Sequence, residues 1–223
     1  AALLREWQRA GLQSGGFTMR ALLLLLTIGC GEVSQASEPT VAADPPAEGL
    51  KEAVFAGGCF WCMEAPFEKR TGVKAVESGY TGGPEIGPSY YNVARGKTGH
   101  FEAVRVVYDP KAITYAELLS TFWHNVDPTQ ANGQFCDKGD QYRTAIFVAS
   151  EAERAAARQS KASAESTLGS TVVTPILPAQ TFWLAEEYHQ DFYKRNPTRY
   201  KSYRAGCGRD RRLQQLWGSQ AGR

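Results

Sequence analysis

The sequence predicts an α+β fold: a ferredoxin-like, two-layer sandwich of helices on a mixed sheet, followed by a C-terminal coil. Three observations predict this class. Short apolar runs that are typical of strands alternate with segments that carry helix-capping residues. The first six elements follow the order strand, helix, strand, strand, helix, strand, which is that of a split βαβ unit. The 223 residues suffice for one such domain, which we place at 51–218, and for additional segments.

The six-element unit occupies the first part of the domain. Gly57 and Gly58 end its first strand, and Thr114 with Glu117 forms a capping box at its second helix. Residues 127–143 are polar and contain glycine, which predicts a long functional loop. We predict strands over 53–56, 73–80, 102–108 and 144–149, and helices over 60–69 and 115–125.

The second part of the domain adds a helix, a strand and a further helix. Ser150 and Glu153 cap the first of these helices, and Pro197 follows the end of the second. The remaining residues contain glycine and predict coil, with a single helical turn near Leu213. We predict helices from 150 to about 169 and over 185–195, and a strand over 172–176.

Residues 19–36 predict a leader for export. A charge is followed by an apolar run of about eight residues and then by small residues, which is the pattern of a secretory signal. The run is too short to span a bilayer as a helix. Met19 is then the start, and residues 1–18 are an upstream extension. Residues 37–50, which lack an apolar period, predict a flexible linker.

The processing of this leader has two alternatives. Cys30 follows Thr27-Ile28-Gly29 and resembles the lipidated cysteine of a bacterial lipoprotein, although Leu is usual where Thr27 stands. Ordinary cleavage after Ala36 is the other route. Both predict a location in the cell envelope or periplasm, and the first adds a lipid anchor. A buried helix of a cytosolic protein is the remaining interpretation.

Charge and cysteine content argue against two classes of protein. A formal net charge of +2 gives no reason to expect a nucleic-acid binder. Arg209, Arg211 and Arg212, interrupted by Asp210, predict a solvated face. An odd number of cysteines argues against a fully paired disulfide framework, so some of them serve chemistry or processing. The five cysteines are Cys30, Cys59, Cys62, Cys136 and Cys207.

The sharpest functional signal is the run Gly57-Gly58-Cys59-Phe60-Trp61-Cys62. Cys59 follows the glycines that end the first strand and precedes the predicted helix. Free backbone N–H groups and the positive end of a helix dipole favour a thiolate there and lower the thiol pKa. Such a thiolate is a nucleophile. A buried, inert cysteine is the alternative, and Phe60 and Trp61 are either core residues or the wall of a pocket beside the sulfur.

At this point the sequence resembles the type A methionine sulfoxide reductases. Their signature is a Gly-Cys-Phe-Trp run after an apolar strand, and further matching blocks follow in the same order over nearly all of 51–218. These blocks lie at 78–83, 88–90, 99–104, 108–110, 127–128, 139–143, 187–190 and 206–208. The resemblance implies reduction of methionine S-sulfoxide, free or in proteins, to methionine.

The resemblance also implies roles for individual residues. Cys59 is the attacking sulfur, and Glu102 is the acid at the sulfoxide oxygen, which must become a better leaving group. Burial would raise the pKa of Glu102 and so allow it to donate a proton. The remaining members are Tyr90 and Tyr142, which bind the oxygen, Asp137, a further polar residue, and Phe60 and Trp61, which hold the S-methyl group.

Cys59 would be left as a sulfenic acid, which a second thiol must convert to a disulfide. Cys207, between two glycines, matches the resolving cysteine of the family. Thioredoxin, or a similar reductant, would then restore both thiols by exchange. Cys62 is an alternative resolving thiol or a packed small residue, and Cys136 is a possible relay thiol.

Neither the reductase interpretation nor its alternatives require a metal or a cofactor. A general thiol–disulfide oxidoreductase that uses Cys59 and Cys62 is the main alternative, and a tethered binding module without catalysis is the next. His100, His124 and His189 lack paired-histidine spacing, so no metal site is predicted, and His189 is expected to form hydrogen bonds near the site. We expect a monomer that binds no nucleic acid.

Overall fold

The computed structural model of the chain describes residues 40–223. The predicted upstream extension, the leader with Cys30, and the first residues of the linker lie outside the described residues. Within the described range, no helix combines the length and the apolar character that crossing a membrane requires.

One mixed sheet forms the centre of the domain. The described chain contains the strands β1 Lys51–Gly57, β2 Val73–Thr81, β3 Phe101–Tyr108, β4 Gly133–Gln134, β5 Asp137–Lys138, β6 Thr144–Val148, β7 Ile176–Pro178 and β8 Trp183–Leu184. Six of them pair in the order β7-β6-β1-β3-β2-β8, and β4 and β5 form a separate hairpin. Only β6 and β7 run parallel within this sheet. The central order β6-β1-β3-β2, with antiparallel neighbours, confirms the predicted split βαβ unit.

Seven α-helices accompany the sheet in the described chain. They are α1 Trp61–Glu68, α2 Tyr90–Ala94, α3 Tyr115–Trp123, α4 Glu151–Leu168, α5 Phe192–Arg195, α6 Pro197–Gly206 and α7 Arg209–Trp217. The capping box of Thr114 and Glu117 starts α3, and the Ser150 side chain accepts the Glu153 N–H at the start of α4, as predicted. Both caps use only local residues, which is why the sequence predicts them well.

Alternation along the strands divides the core between the two faces of the sheet. Side chains at Phe55 and Val104 point to the face covered by α1 and α3. Phe101 and Ala103 point to the other face, where Phe182 covers them. Glu102 lies between these two residues, so its carboxyl group points to the helix side. The alternation of β3 therefore places a carboxyl group beneath the start of α1.

The C-terminal residues form helices, so the prediction of a coil with one helical turn is wrong. In α7 the buried residues are Arg209, Leu213 and Trp217, which follow one another at helical spacing. Because this buried stripe begins with an arginine, the apolar periodicity of the sequence did not indicate a helix here. Gly208, with φ of 66°, provides the left-handed turn between α6 and α7. Arg209 is 1% exposed, which also corrects its assignment to a solvated face.

Three further boundaries differ from the prediction. The strand predicted over 172–176 corresponds to β7, which begins four residues later than expected because residue 146 pairs with residue 176. The helix predicted over 185–195 is confined to α5, since the Ala185 N–H extends the pairing along β2 by donating to the Ser78 carbonyl. The regions predicted as loops contain α2 and the β4–β5 hairpin.

The described part of the predicted linker is held against the domain. Ala42 forms a β-bridge with Trp183, and the Ala43 N–H donates to the Phe182 carbonyl at 2.9 Å. The Thr40 hydroxyl donates to the Pro88 carbonyl at 2.7 Å. These contacts anchor residues 40–43 across the outer sheet edge.

Candidate active site

Cys59 lies where β1 ends and α1 begins. Gly58 has φ of 82°, and a Cβ atom there would come within 2.5 Å of the Gln134 Cβ, so this turn requires glycine. The turn brings Cys59 out of the sheet just before Trp61 starts the helix. The predicted location at a strand-to-helix junction is confirmed.

The residues that were predicted for the site meet around one small cavity. Its volume is about 90 Å³, and the structure draws its lining from five separate segments of the chain. Seven of the lining residues were predicted from the sequence, and Tyr203 is the addition. The lining comprises Cys59, Phe60, Trp61, Tyr90, Glu102, Asp137, Tyr142 and Tyr203.

Glu102 is a buried carboxyl group that holds its proton at neutral pH. It is 1% exposed, and it accepts the Phe60 backbone N–H at 3.2 Å. Burial is the main cause that raises its pKa to about 8, and the negative charge of Asp137 adds to this, whereas the hydrogen bonds from Phe60 and Tyr142 oppose it. The expected rise in the pKa of Glu102 is confirmed.

The Cys59 thiol behaves differently from the prediction. Burial raises its pKa, and the hydrogen bond with Cys62 and the negative charge of Cys62 raise it further. The predicted lowering at a helix N-terminus is therefore wrong for the free protein. A physical reason is that the first free N–H of the helix, on Phe60, donates to Glu102 and not to the sulfur.

The pKa of Cys62 is lowered, in contrast to that of Cys59. Cys62 is 1% exposed and lies one turn along the chain, where its N–H donates to the Cys59 carbonyl at 3.0 Å. Its hydrogen bond with Cys59, together with the charges of Arg209 and Arg204, lowers its pKa to about 6 despite burial. Of the two thiols, Cys62 is therefore the one whose ionisation the surroundings favour.

Tyr203 is the lining residue that the sequence did not predict. It lies on α6, donates its hydroxyl to Asp137, and forms a hydrogen bond with Cys59 that lowers the Cys59 pKa. Its ring meets Trp61 edge-on, with the centroids 5.9 Å apart. Tyr203 precedes Cys207 by one helical turn, a spacing that would have pointed to it if the segment had been predicted as a helix.

Two aromatic contacts fix the indole that lines the cavity. The Trp61 Nε1–H donates to His189 Nδ1 at 3.1 Å, and the Trp61 ring stacks on Phe192 with centroids 3.7 Å apart. Burial lowers the pKa of His189 to about 4, so the imidazole is neutral and accepts this hydrogen bond. The expected hydrogen-bonding role of His189 near the site is confirmed.

Cys207 does not line the cavity, because it forms a disulfide with Cys136. Cys136 is exposed and Cys207 is half-buried, whereas Cys59 and Cys62 are free thiols. Both bonded sulfurs and a carboxylate oxygen of Asp137 lie within 4.8 Å of one another. This is the only group in the described range with the spacing of metal ligands, and its sulfurs are not available as thiolates in this state.

Comparison with known proteins identifies the family. The sequence model of the family "Peptide methionine sulfoxide reductase" matches residues 51–221. The chain belongs to this family. It is 51% identical over 201 residues to peptide methionine sulfoxide reductase MsrA 2 of Caulobacter vibrioides, with 90% of this chain and 100% of the relative covered. The MsrA 2 of Rhizobium meliloti is 48% identical over 183 residues, covering 82% of this chain and 89% of the relative.

Solved structures agree with this assignment of the reductase. Mxr1 of Saccharomyces cerevisiae in its reduced form superposes with a TM-score of 0.65 at 34% identity, covering 70% of this chain and 90% of that one. Methionine sulfoxide reductase A of Corynebacterium diphtheriae gives 0.62 at 30% identity, with 69% and 83% covered. The α+β fold predicted for the reductase is therefore confirmed.

Proposed function

We propose that this reductase converts methionine S-sulfoxide, free or in proteins, to methionine with Cys59 as the nucleophile. The observation that carries the proposal is a thiol and a protonated carboxyl group, Cys59 and Glu102, facing one cavity of about 90 Å³. That volume equals about three water molecules. It suits the methyl sulfoxide end of a side chain, and the rest of a peptide would lie outside.

In the first step, the Cys59 sulfur loses its proton and bonds to the sulfoxide sulfur, while Glu102 gives its proton to the oxygen. In the second step, the protonated oxygen moves from the substrate sulfur to the Cys59 sulfur. The substrate sulfur–oxygen bond and the new sulfur–sulfur bond break, a sulfur–oxygen bond forms on Cys59 to give the sulfenic acid, and methionine leaves. Glu102 is left as the carboxylate. Burial raises the pKa of Tyr90 to about 12 and also raises that of Tyr142, so both hydroxyls stay protonated and donate hydrogen bonds to the oxygen.

The aromatic wall supports binding of the methyl group. Phe60 is 1% exposed, and Trp61 is held in place by His189 and Phe192. An apolar methyl group that enters this wall leaves water, which favours binding by about 0.8 kcal/mol for each buried carbon of this kind. We assign to Asp137 the role of fixing Tyr203, whose hydroxyl it accepts, beside the sulfur.

The test of the proposed function is single-turnover reduction of the separated S and R epimers of a methionine sulfoxide peptide by the reduced full-length chain. We expect methionine from the S epimer and none from the R epimer, with free thiols lost in proportion. No methionine from either epimer, with the protein folded and reduced, would overturn the proposal. An insulin-reduction assay would then test the alternative of a general thiol–disulfide oxidoreductase.

For regeneration we propose that Cys207 resolves the sulfenic acid and that thioredoxin or a similar protein supplies the electrons. The exposed position of Cys136, beside a groove of about 630 Å³ that reaches Cys207, supports access for a protein reductant. Cys59 and Cys62 are 6% and 1% exposed, which supports the idea that such a protein cannot reach them directly. Cys207 must first be released from Cys136 by reduction.

Replacing Cys207 by serine is expected to permit the first turnover and then to stop turnover driven by thioredoxin. The physical reason is that the buried oxidised sulfur loses its connection to the surface. Thioredoxin-coupled consumption of NADPH measures this, and a small dithiol, which can enter the cavity, serves as the control because it should restore turnover. Thioredoxin-driven turnover at the parental rate would remove Cys207 from the resolving role.

The location of the reductase is a further proposal. The leader pattern of residues 19–36 supports export to the cell envelope. The position of Cys30, which resembles the lipidated cysteine of a bacterial lipoprotein, supports a lipid anchor. We also propose that the reductase acts as a monomer, because one chain suffices to supply every residue that the proposed mechanism uses.

A further inference from the structure

A buried arginine lies behind the cavity and has no carboxylate partner among the described residues. Arg209 is 1% exposed, and its Nη2 donates to the carbonyl oxygens of Gly57 and Asn125, each at 2.9 Å. Its guanidinium lies over the Phe135 ring, 4.4 Å from the centroid, and its Nε has no hydrogen-bond partner. A buried cation is costly unless an anion offsets it.

Two groups near Arg209 can offset its charge, the half-buried carboxylate of Asp137 and the buried thiol of Cys62. The next residue, Met63, touches Arg209 Nη2 through its Sδ at 3.1 Å. A second guanidinium, that of Arg204, contributes a further positive charge that lowers the Cys62 pKa, while Asp210 pairs with it at 2.5 Å. Positive charges from α6 and α7 therefore act on one buried sulfur.

The charged and titratable groups that act on Cys62 favour one arrangement of protons. These groups are Cys59 on the same turn, Glu102 on β3, Tyr200 and Arg204 on α6, and Arg209 on α7. The hydrogen bond with Cys59 and, after it, the charges of the two arginines lower the pKa of Cys62, while the pKa of Cys59 is raised. This arrangement favours a Cys59 thiol that donates its proton toward the sulfur of Cys62.

We propose that Cys62, kept as a thiolate by Arg209 and Arg204, is the base that accepts the Cys59 proton during attack on the sulfoxide. This rests on the proposed function. The S–H bond of Cys59 breaks and its proton moves to Cys62, while the released electron pair forms the bond to the substrate sulfur. Glu102 protonates the oxygen in the same step. The single negative charge thereby passes from Cys62 to Glu102, and the buried site keeps the same net charge.

The test compares the reduced full-length chain with Cys62→Ser in single turnovers across pH. At neutral pH we expect methionine formation to slow by about 100-fold or more, the lower range of general-base contributions. The difference should shrink as pH rises through the pKa of Cys59, because the thiolate then forms without the base. Methionine is released before the sulfenic acid is resolved, so loss of a resolving thiol alone would leave this rate unchanged. A parental rate in Cys62→Ser at neutral pH would overturn the proposal.

A second measurement follows the ionisation of Cys62 itself by its ultraviolet thiolate absorbance and by the pH dependence of its alkylation. Arg209→Met should raise the pH at which Cys62 ionises and slow the first turnover, and Arg209→Lys should largely restore both. Arg211→Met, which removes an exposed arginine from the same helix, is the matched control and should change neither. Ionisation at the parental pH in folded Arg209→Met would contradict the role of Arg209.

These outcomes separate the inference from the proposed function. If the Arg209 variants fail to fold, the first-turnover rate of Cys62→Ser decides alone. If the parent chain forms no methionine, the proposed function fails, and the ionisation measurement still decides whether Arg209 holds Cys62 as a thiolate.

Discussion

Replacing Cys59 by serine is expected to abolish methionine formation, including the first turnover. Cys59 supplies the only sulfur that lines the cavity in the described chain. A serine hydroxyl ionises far less readily than a thiol and does not form the sulfenic acid through which the oxygen leaves the substrate. The measurement is methionine released per chain from the S epimer under reducing conditions.

The control for Cys59→Ser is its thermal unfolding, which should match that of the parent because serine is nearly isosteric. Methionine production by the folded variant would contradict the assignment. Since Cys62 is the neighbouring free thiol, that result would direct attention to it as the nucleophile.

Replacing Glu102 by glutamine is expected to slow the first turnover by about 100- to 10,000-fold at neutral pH, the range of general-acid contributions. The amide has the size of the carboxyl group and can still accept the Phe60 N–H, so the fold should persist. It cannot give a proton to the sulfoxide oxygen. Glu52→Gln, which changes a surface carboxylate on β1 with 44% side-chain exposure, is the matched control and should keep the parental rate.

The parent and Glu102→Gln should also differ in the pH dependence of the first turnover. Since burial raises the pKa of Glu102 to about 8, the active protonated form is present below that pH and is lost as pH rises through it. The parental rate should therefore fall on the alkaline side, and the Glu102→Gln rate should lack this fall. An unaltered rate in Glu102→Gln would remove Glu102 from the role of acid.

Local patterns explain why much of the site could be predicted. The strand before Gly57 and the helix after Phe60 are encoded by neighbouring residues, so the junction that holds Cys59 follows from the sequence. Because side chains alternate along β3, Glu102 points to the face of the sheet that lies opposite the face of Phe101. The roles of individual residues came from the family resemblance, which local patterns alone do not supply.

The features that the sequence failed to predict depend on long-range packing. Tyr203 reaches the cavity only because α6 packs against α5 and brings the Tyr203 ring to Trp61, and that helix was predicted as coil. The bond between Cys136 and Cys207 joins residues 71 apart in the chain, with Cα atoms 4.9 Å apart. Neither contact has a local signature, since several pairings of the cysteines are compatible with one sequence.

The protonation of Cys59 and Cys62 shows most clearly what the sequence determines and what only the tertiary structure decides. The sequence alone establishes a Cys-x-x-Cys turn at a helix start, and from that the dipole argument assigns the low pKa to Cys59. Only the tertiary structure buries Cys59 next to Glu102 and brings Arg204 and Arg209 to Cys62. A pKa reports the exclusion of water and the nearest charges, and in a folded chain both come from residues remote in sequence.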